Sequence, residues 1–382
     1  MSISDYLEKM KVIQSYILSF ITGEDNIEED YANLLSFLIE NNFRDDQYNL
    51  KALLYLVVKI SDSHNRDSCF FDKIEKILLD LKIEIEKYFS NSEIFNIFKS
   101  NKRILLFLIQ QKIMTIDKHI IELMLSNKYK IYGYPQYFSP EIYNFISKNK
   151  ISKNLKNQIL NEILKHPPDD FEEKRKSGEN DDSLCQMIRE DLIDEFLSFV
   201  NQNNFSLNST IKNDSIYETN LFLLQKRKKS KSITLIEYAA FFGSIQIFKY
   251  LFLNKADLPN RLMIFAVHGD HPEIIRILEE NLENQEEMYL KSFKESIKCH
   301  HKDISNYIIN NHFQNNEEKI FKNLKASVKY YNYSFIPEKD MKCALFPYLC
   351  KYNHYYLVKY TATYMNVELN AKIIFKKKIF FL

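Results

Sequence analysis

The sequence predicts an all-α protein made of helical repeats, and three observations lead to that prediction. Apolar residues recur every three or four positions through most of the 382 residues, which is the spacing of a helix with one buried face. Only five Gly and eight Pro are present, so sites that favour tight turns are few. A pattern of small, polar and apolar residues also recurs several times in the second half of the chain, as stacked repeats require.

The first 165 residues are predicted to be a helical N-terminal region. Ser90 and Glu93 have the spacing of a capping box, in which each side chain satisfies a backbone N–H at a helix start. No proline precedes Pro135, which suits uninterrupted helices. We expect a bundle or a set of divergent repeats. The apolar stripes are Tyr6, Met10, Ile13, Ile17 and Ile21; Tyr31, Leu34, Leu35 and Leu38; Leu53, Leu54 and Val57; and Phe70, Ile74, Ile77, Leu78 and Leu81.

Two breaks interrupt this helical pattern. The first lies between Tyr129 and Pro140, and Ser139–Pro140 is suited to start a new helix because proline favours the first helical position. The second runs from His166 to Asp182 and is polar and acidic, so we place a domain boundary there. The prediction is an N-terminal region at 1–165 and a repeat region at 166–382, with insertions near 201–233 and 311–342.

The clearest repeat runs from Thr234 to Asp257. Thr234 and Glu237 form a second predicted capping box, which places a helix start there. Ala239 and Ala240 allow two antiparallel helices to approach closely, and Gly243 suits the turn that ends the first helix. The second helix carries apolar residues at helical spacing: Ile245, Phe248, Leu251 and Phe252.

Further copies share the phase of this repeat. Ala239 corresponds to Ala266, Ser296 and Leu349, and the position of Ser244 is His in all three copies: His271, His301 and His354. A weaker copy lies upstream at Met187–Ile188 with Asp191, Phe196 and Phe199. Another begins at 367–372 and lacks its second half, so we expect the last repeat to be incomplete and the array to be truncated there.

This pattern resembles the ankyrin consensus, with departures at Leu235, Glu237 and Lys255. The order of parts, with FEEKRKSGEND at 171–181 followed by IEYAAFFGSIQIFKYLFLN at 236–254, is similar to a family of divergent ankyrin-repeat proteins expanded in parasitic protists, whose central domain has no known function. The resemblance implies an ankyrin-type solenoid with a protein-binding role. It also implies a hydrogen bond between repeats at the recurring His, and it supplies no catalytic residues.

The residues between the small pair and the turn are predicted to bind a protein partner. In a helical-repeat stack the first helices and loop tips line an extended concave face, and exposed aromatic residues concentrate binding energy. An alternative for Phe241 and Phe242 is that they pack beneath the insertion loops. The predicted partner-binding residues are Tyr238, Phe241, Phe242, His268, Lys298, Lys351 and Tyr352.

No cofactor, metal or small-molecule substrate is expected. His268, His271, His300, His301 and Cys299 lack the spacing of zinc ligands, so we interpret them as structural. Phosphate-binding, zinc-protease and nucleophile-elbow motifs are absent from the sequence, so we predict no enzymatic activity. The basic run Lys226–Lys231 is expected to be a solvated insertion loop.

Composition favours an intracellular protein. The 52 basic and 51 acidic residues give a net charge of +1, so nucleic-acid binding is not expected. Five scattered Cys suit reduced thiols, and the longest apolar run, Ile104–Ile109, is too short to span a bilayer. We expect a cytoplasmic protein, with two alternatives: a nuclear or nucleic-acid-associated factor that uses Lys226–Lys231, and a host-directed effector.

Overall fold

A computed structural model describes residues 2–23, 25–64, 69–224, 232–282, 286–313, 316–336 and 345–364. Within these ranges the regular structure is helical, apart from one isolated antiparallel bridge between Thr210 and Thr234. The predicted all-α class is therefore confirmed. The helices are α1 (Ile3–Thr22), α2 (Ile27–Glu40), α3 (Gln47–Ser63), α4 (Phe70–Asp80), α5 (Lys82–Tyr88), α6 (Asn91–Phe98), α7 (Lys102–Gln110), α8 (Lys118–Met124), α9 (Asn127–Lys130), α10 (Tyr134–Tyr137), α11 (Ser139–Lys148), α12 (Lys153–Glu162), α13 (Phe171–Ser177), α14 (Ser183–Arg189), α15 (Ile193–Gln202), α16 (Leu235–Phe242), α17 (Ile245–Leu253), α18 (Leu262–Gly269), α19 (Pro272–Asn281), α20 (Glu286–Cys299), α21 (Lys302–Ile308), α22 (Glu317–Tyr330), α23 (Phe346–Lys351) and α24 (Tyr355–Tyr364).

Several helix starts follow from local sequence. Ser90 and Thr234 each accept a hydrogen bond from the backbone three residues on, while Glu93 and Glu237 bond back to the cap, so both predicted capping boxes are confirmed. Helix α11 begins at Ser139 with Pro140 in its first turn, as predicted. These side chains satisfy backbone N–H groups that have no partner within the helix.

The chain forms two compact units. The first comprises the described residues within 1–60, 66–74 and 289–382, and the second those within 61–65 and 75–288. Each unit is built from more than one segment of the chain, so this division follows packing rather than sequence order. The predicted boundary at residue 165 rests on the sequence pattern alone and stays a prediction.

The first unit joins α1 to the C-terminal helices. The predicted stripe of α1 is buried, and Gln14 on the same face donates to Asn332 Oδ1 over 3.1 Å and accepts from Tyr333 N over 2.7 Å. Tyr6 packs against Tyr356 with ring centroids 5.3 Å apart. Segments more than 300 residues apart in sequence thus share one core.

The second unit is held together by buried cations that satisfy backbone carbonyls. Arg175 is 1% exposed, donates to Tyr137 O, and pairs with Glu141 and Glu172. Lys102 donates to Tyr132 O over 3.0 Å and to Ile216 O over 2.6 Å. Because Ile216 belongs to 201–233, Lys102 fixes that segment against α9 and α10. Removal of either cation would leave buried or half-buried acceptors without their hydrogen-bond donor, which costs free energy inside a protein.

Ten turns among the described residues share one backbone geometry. In each, an N–H bonds to the carbonyl five residues earlier, and the residue before that N–H has a positive φ, which is a common way for a helix to end. Four of them end other helices, at Leu38–Phe43, Leu108–Ile113, Val200–Phe205 and Leu251–Ala256, and six correspond to the turn after the first helix of the predicted repeat. The hydrogen-bonded pairs of these six are Leu192–Met187, Ser244–Ala239, His271–Ala266, His301–Ser296, Asn332–Ser327 and His354–Leu349, with positive φ at Asp191, Gly243, Asp270, His300, Tyr331 and Asn353. Five of the six turns fall at predicted copies.

The sixth turn, Ser327–Asn332, lies inside 311–342, which the sequence predicts to be an insertion. Helix α22 leads into it, and a hydrogen bond of 2.9 Å closes it. The copy escapes recognition from sequence because Asn332 stands at the position of the recurring His and Tyr331 at the position of Gly243. Because Asn332 Nδ2 also bonds to Ile297 O, as His354 Nε2 does to Val328 O, we interpret the described part of 311–342 as another copy of the repeat.

Candidate functional site

At four of the six turns, the side chain after the positive-φ position binds the preceding repeat. Ser244 Oγ donates to Ile188 O, and His271 Nε2 lies 3.1 Å from Phe241 O. Asn332 Nδ2 donates to Ile297 O over 2.8 Å, and His354 Nε2 lies 2.7 Å from Val328 O. A polar side chain at one repeat position thus satisfies a backbone carbonyl of the repeat before it. This observation confirms the inter-repeat hydrogen bond expected of His271.

Burial keeps these imidazoles neutral. The pKa of His354 is lowered to about 4 by burial, with the bond to Val328 O acting in the opposite direction. The pKa of His271 is also lowered by burial. A neutral imidazole carries one N–H, and a carbonyl partner requires that proton on Nε2. Both His residues therefore act as hydrogen-bond donors between repeats.

Glycine is required where two repeats approach most closely. A Cβ added to Gly269 would lie 2.0 Å from Phe241 O, the carbonyl that accepts from His271. A Cβ on Gly243 would lie 2.2 Å from the His271 ring, at a φ of +71°. Real side chains do not adopt such distances, so the frame of these two repeats depends on both glycines.

The two residues that directly precede each positive-φ position change in chemistry from repeat to repeat. We call them the variable pairs: Arg189–Glu190, Phe241–Phe242, His268–Gly269, Lys298–Cys299, Lys329–Tyr330 and Lys351–Tyr352. Four of them contain the predicted partner-binding residues other than Tyr238. The turn and its hydrogen bond recur while the side chains at this position vary.

Three predicted partner-binding residues lie in the core instead of on an exposed face. Tyr238 and His268 are 0% exposed and Phe241 is 4% exposed. Phe222 from the segment 201–233 covers two of them, because its ring centroid lies 4.3 Å from that of His268 and 5.7 Å from that of Phe241. Phe241 thus packs beneath the insertion, which is the alternative that the sequence leaves open. The Tyr238 hydroxyl accepts from Arg189 over 3.4 Å and is occupied within the unit.

The other four predicted residues reach the surface to different extents. Phe242 is half-buried against Tyr238 and Phe241, with ring centroids 4.7 and 4.8 Å away. Lys298 is half-buried and forms an ion pair of 2.6 Å with Glu295. Lys351 is exposed and lies over the ring of Tyr352, which is half-buried. These four residues remain candidates for partner contact.

Sequence reasoning missed Lys329 and Tyr330, which form the variable pair of the unrecognised repeat. Lys329 is exposed, and its Nζ donates to Tyr330 Oη over 2.8 Å. The signal was present in the sequence, because Lys329 stands at the same phase as Lys298 and Lys351. The pair can be recognised only when the turn at Ser327–Asn332 shows where the repeat lies.

Other chemically suggestive groups have structural surroundings. Burial raises the pKa of the Cys185 thiol to about 12, so the reactive thiolate is disfavoured at neutral pH. A cavity of about 240 Å³ in the second unit is lined by Lys99, Lys102 and Tyr129 among others, and is smaller than the roughly 300–1,000 Å³ of most ligand sites. The basic run Lys226–Lys231 and the segment 367–372 lie outside the described residues.

Comparison with known proteins adds no relative. No known protein family, curated protein or solved structure matches this chain. Among the described residues, no helix combines the length and apolar content that a bilayer crossing needs.

Proposed function

We propose that this protein is a non-enzymatic interaction module, a scaffold or adaptor made of ankyrin-type repeats that binds a partner protein through its variable pairs. The observation that carries the proposal is the recurrent turn. At the six turns that correspond to the predicted repeat turn, the backbone hydrogen bond and the positive-φ residue recur, while the two residues before them differ from one turn to the next. A constant frame that carries different side chains at its surface is the arrangement by which stacked repeats recognise partners. Phe241, His268 and Cys299 of the variable pairs are buried and take no part in this recognition.

The bonds between repeats support this function because they make the frame rigid. Ser244, His271, Asn332 and His354 each tie a turn to the preceding repeat through a buried or half-buried polar contact. A side chain held on a preorganised backbone loses less entropy when it binds. The half-buried aromatic residues Phe242, Tyr330 and Tyr352 add area for contact at a low entropic cost.

The proposal is tested by proximity labelling in the native cell, with the intact chain as the reference. Phe242→Asp changes a half-buried variable-pair residue, and Leu253→Asp is the matched control. Leu253 is 75% exposed at the end of the second helix of the same repeat, so both variants place an aspartate on one repeat. We expect a defined set of protein neighbours to be lost in Phe242→Asp and kept in Leu253→Asp, with equal helicity by circular dichroism.

Two outcomes contradict the proposal. In one, the neighbours of the intact chain persist in Phe242→Asp and in a Tyr352→Ala variant, which means that the variable pairs do not bind partners. In the other, the intact chain labels no set of proteins above background. If Phe242→Asp loses helicity, Phe242→Ser tests the same position with a smaller change.

A further inference from the structure

Five lysines project from the first helices of three successive repeats in the first unit. Lys294 and Lys298 lie one turn apart on α20, Lys325 and Lys329 lie one turn apart on α22, and Lys351 ends α23. The repeats are adjacent, because Asn332 bonds to Ile297 O and His354 to Val328 O. We call this set the lysine ladder.

The ladder lysines are close enough to influence one another. The pKa of Lys329 is lowered to about 8 by loss of hydration and by the charges of Lys294, Lys298, Lys59 and Lys351. Lys59 joins them from α3, where Tyr55, one turn earlier, stacks on Tyr331 at 5.3 Å. Like charges held together raise the free energy of the protein, and a bound anion relieves that repulsion.

Helix chemistry alone does not require lysine at these positions. Lys298, Lys329 and Lys351 lie in the last turns of their helices, where a cation interacts favourably with the helix dipole. However, the same repeat position holds Arg189, Phe241 and His268 in the second unit, so the position does not require lysine. The concentration of lysine is therefore a property of this unit.

Tyrosine rings alternate with the ladder lysines. Lys325 Nζ lies 5.3 Å from the centroid of Tyr348, Lys329 Nζ lies 4.5 Å from that of Tyr330, and Lys351 Nζ lies 5.3 Å from that of Tyr352. These contacts hold the ammonium groups over rigid rings. The surface therefore offers oriented cations with aromatic area between them.

The spacing of the ladder selects the shape of its ligand. First helices of stacked repeats lie ~10 Å apart. An extended peptide advances ~3.3 Å per residue, so every third side chain advances ~10 Å. Every third phosphate along a strand of duplex DNA also advances ~10 Å, so the interval fits both ligands, and the balanced net charge of +1 favours a short acidic peptide over a nucleic acid. Glu295 already pairs with Lys298 at 2.6 Å on the same helix, and the exposed cations of the ladder are Lys294, Lys325, Lys329 and Lys351.

We propose that the lysine ladder binds an extended acidic segment of a partner protein, with carboxylates at about every third residue. This inference rests on the proposed function, since it names the chemistry of the partner. The lysines pair with the carboxylates, and Tyr330 and Tyr352 contact the intervening residues.

The test is fluorescence anisotropy of a labelled peptide of about nine residues with aspartate at every third position, added to the full chain. The same peptide with asparagine measures the contribution of charge, and labelled oligothymidine of equal charge represents single-stranded nucleic acid. The protein variants are Lys329→Glu/Lys351→Glu and a matched control, Lys153→Glu/Lys156→Glu, at exposed positions of α12. Each change alters the charge by −2, so both variants carry a net charge of −3 instead of +1.

We expect the aspartate peptide to bind in a salt-dependent manner and the asparagine peptide to bind at least ~10-fold more weakly. The ladder variant should weaken binding by at least ~10-fold, and the control by less than ~2-fold. Lys329→Gln/Lys351→Gln should weaken it to an intermediate extent, and this variant replaces the first if the charge reversal reduces helicity.

Three results overturn the inference: no binding of the aspartate peptide, equal loss in the ladder and control variants, or tighter ladder-dependent binding of oligothymidine. Proximity labelling of the ladder variant separates this inference from the proposed function. If the peptide does not bind while neighbours that depend on Phe242 persist, the ladder inference alone fails.

Discussion

At the scale of single residues, the position after the positive-φ residue holds a hydrogen-bond donor at four of the six turns, and different side chains supply it. Ser244, His271, Asn332 and His354 all donate a hydrogen bond to the preceding repeat. They differ in size and in whether they titrate, so among these four repeats only those with His271 or His354 have a stability that depends on pH through this position. Only the histidines can gain a proton within the repeat frame, and burial opposes that gain.

We expect His354 to make the stability of the first unit depend on pH. Its pKa is about 4 in the folded protein and near the ordinary 6.5 when unfolded, so the unfolded state takes up a proton first as pH falls. The contribution is fully present above pH 6.5 and is lost progressively down to pH 4. Between pH 7 and pH 5 the free energy of unfolding should fall by about 2 kcal/mol from this residue.

Urea unfolding followed by circular dichroism at the two pH values measures this loss. His354→Gln removes the titrating group and should reduce the loss by about 2 kcal/mol relative to the natural chain. Tyr331 and Tyr333 face the imidazole, and burial raises the pKa of both well above 10, so neither titrates in this range. An unchanged pH dependence in His354→Gln would rule out the assignment.

At the scale of secondary-structure elements, the turn between the helices of a repeat is the most demanding feature. Gly269 and Asp270 are neighbours in one such turn and face opposite constraints. Gly269 has no room for a side chain because Phe241 O lies beside it, whereas Asp270 holds a positive φ of 60° in which glycine is unstrained.

We therefore expect Gly269→Ala and Asp270→Gly to have different effects on stability. Gly269→Ala should lower the free energy of unfolding by about 3 kcal/mol, because the methyl group displaces Phe241 O and breaks its bond with His271. Asp270→Gly should change it by less than about 1 kcal/mol. The measurement is the urea midpoint of each variant, and equal midpoints would contradict the close approach of the two repeats.

Features that depend on residues close in sequence could be predicted, and features that depend on distant residues could not. The capping boxes at Ser90 and Thr234 and the turn at Gly243 depend on neighbours within five residues, and all three were predicted. The burial of His268 depends on Phe222, which reaches it from a loop whose path no local pattern specifies. The repeat at Ser327 was missed because hydrogen-bond geometry, rather than residue identity, is what recurs there.

At the scale of the whole molecule, the two ends of the described chain belong to one unit. Gln14 on α1 is 3% exposed and bonds to Asn332 and to the backbone of Tyr333. Asp46 accepts from the Tyr356 hydroxyl, and Tyr48 stacks on Tyr355. Contacts of such sequence separation form only after most of the chain has been made, so this unit depends on long-range closure.

Gln14→Ala should therefore loosen both ends of the chain together. The substitution leaves Tyr333 N and Asn332 Oδ1 without their buried partner, which costs about 2 kcal/mol. Hydrogen exchange followed by mass spectrometry should show faster exchange in α1 and also in 330–336, although more than 300 residues separate them. Gln186→Ala is the control, because Gln186 is exposed on α14 and bonds to Glu190 alone among the contacts described for its amide. Faster exchange in α1 with no change in 330–336 would mean that the two ends unfold separately, and the first unit would then consist of two cooperative parts rather than one.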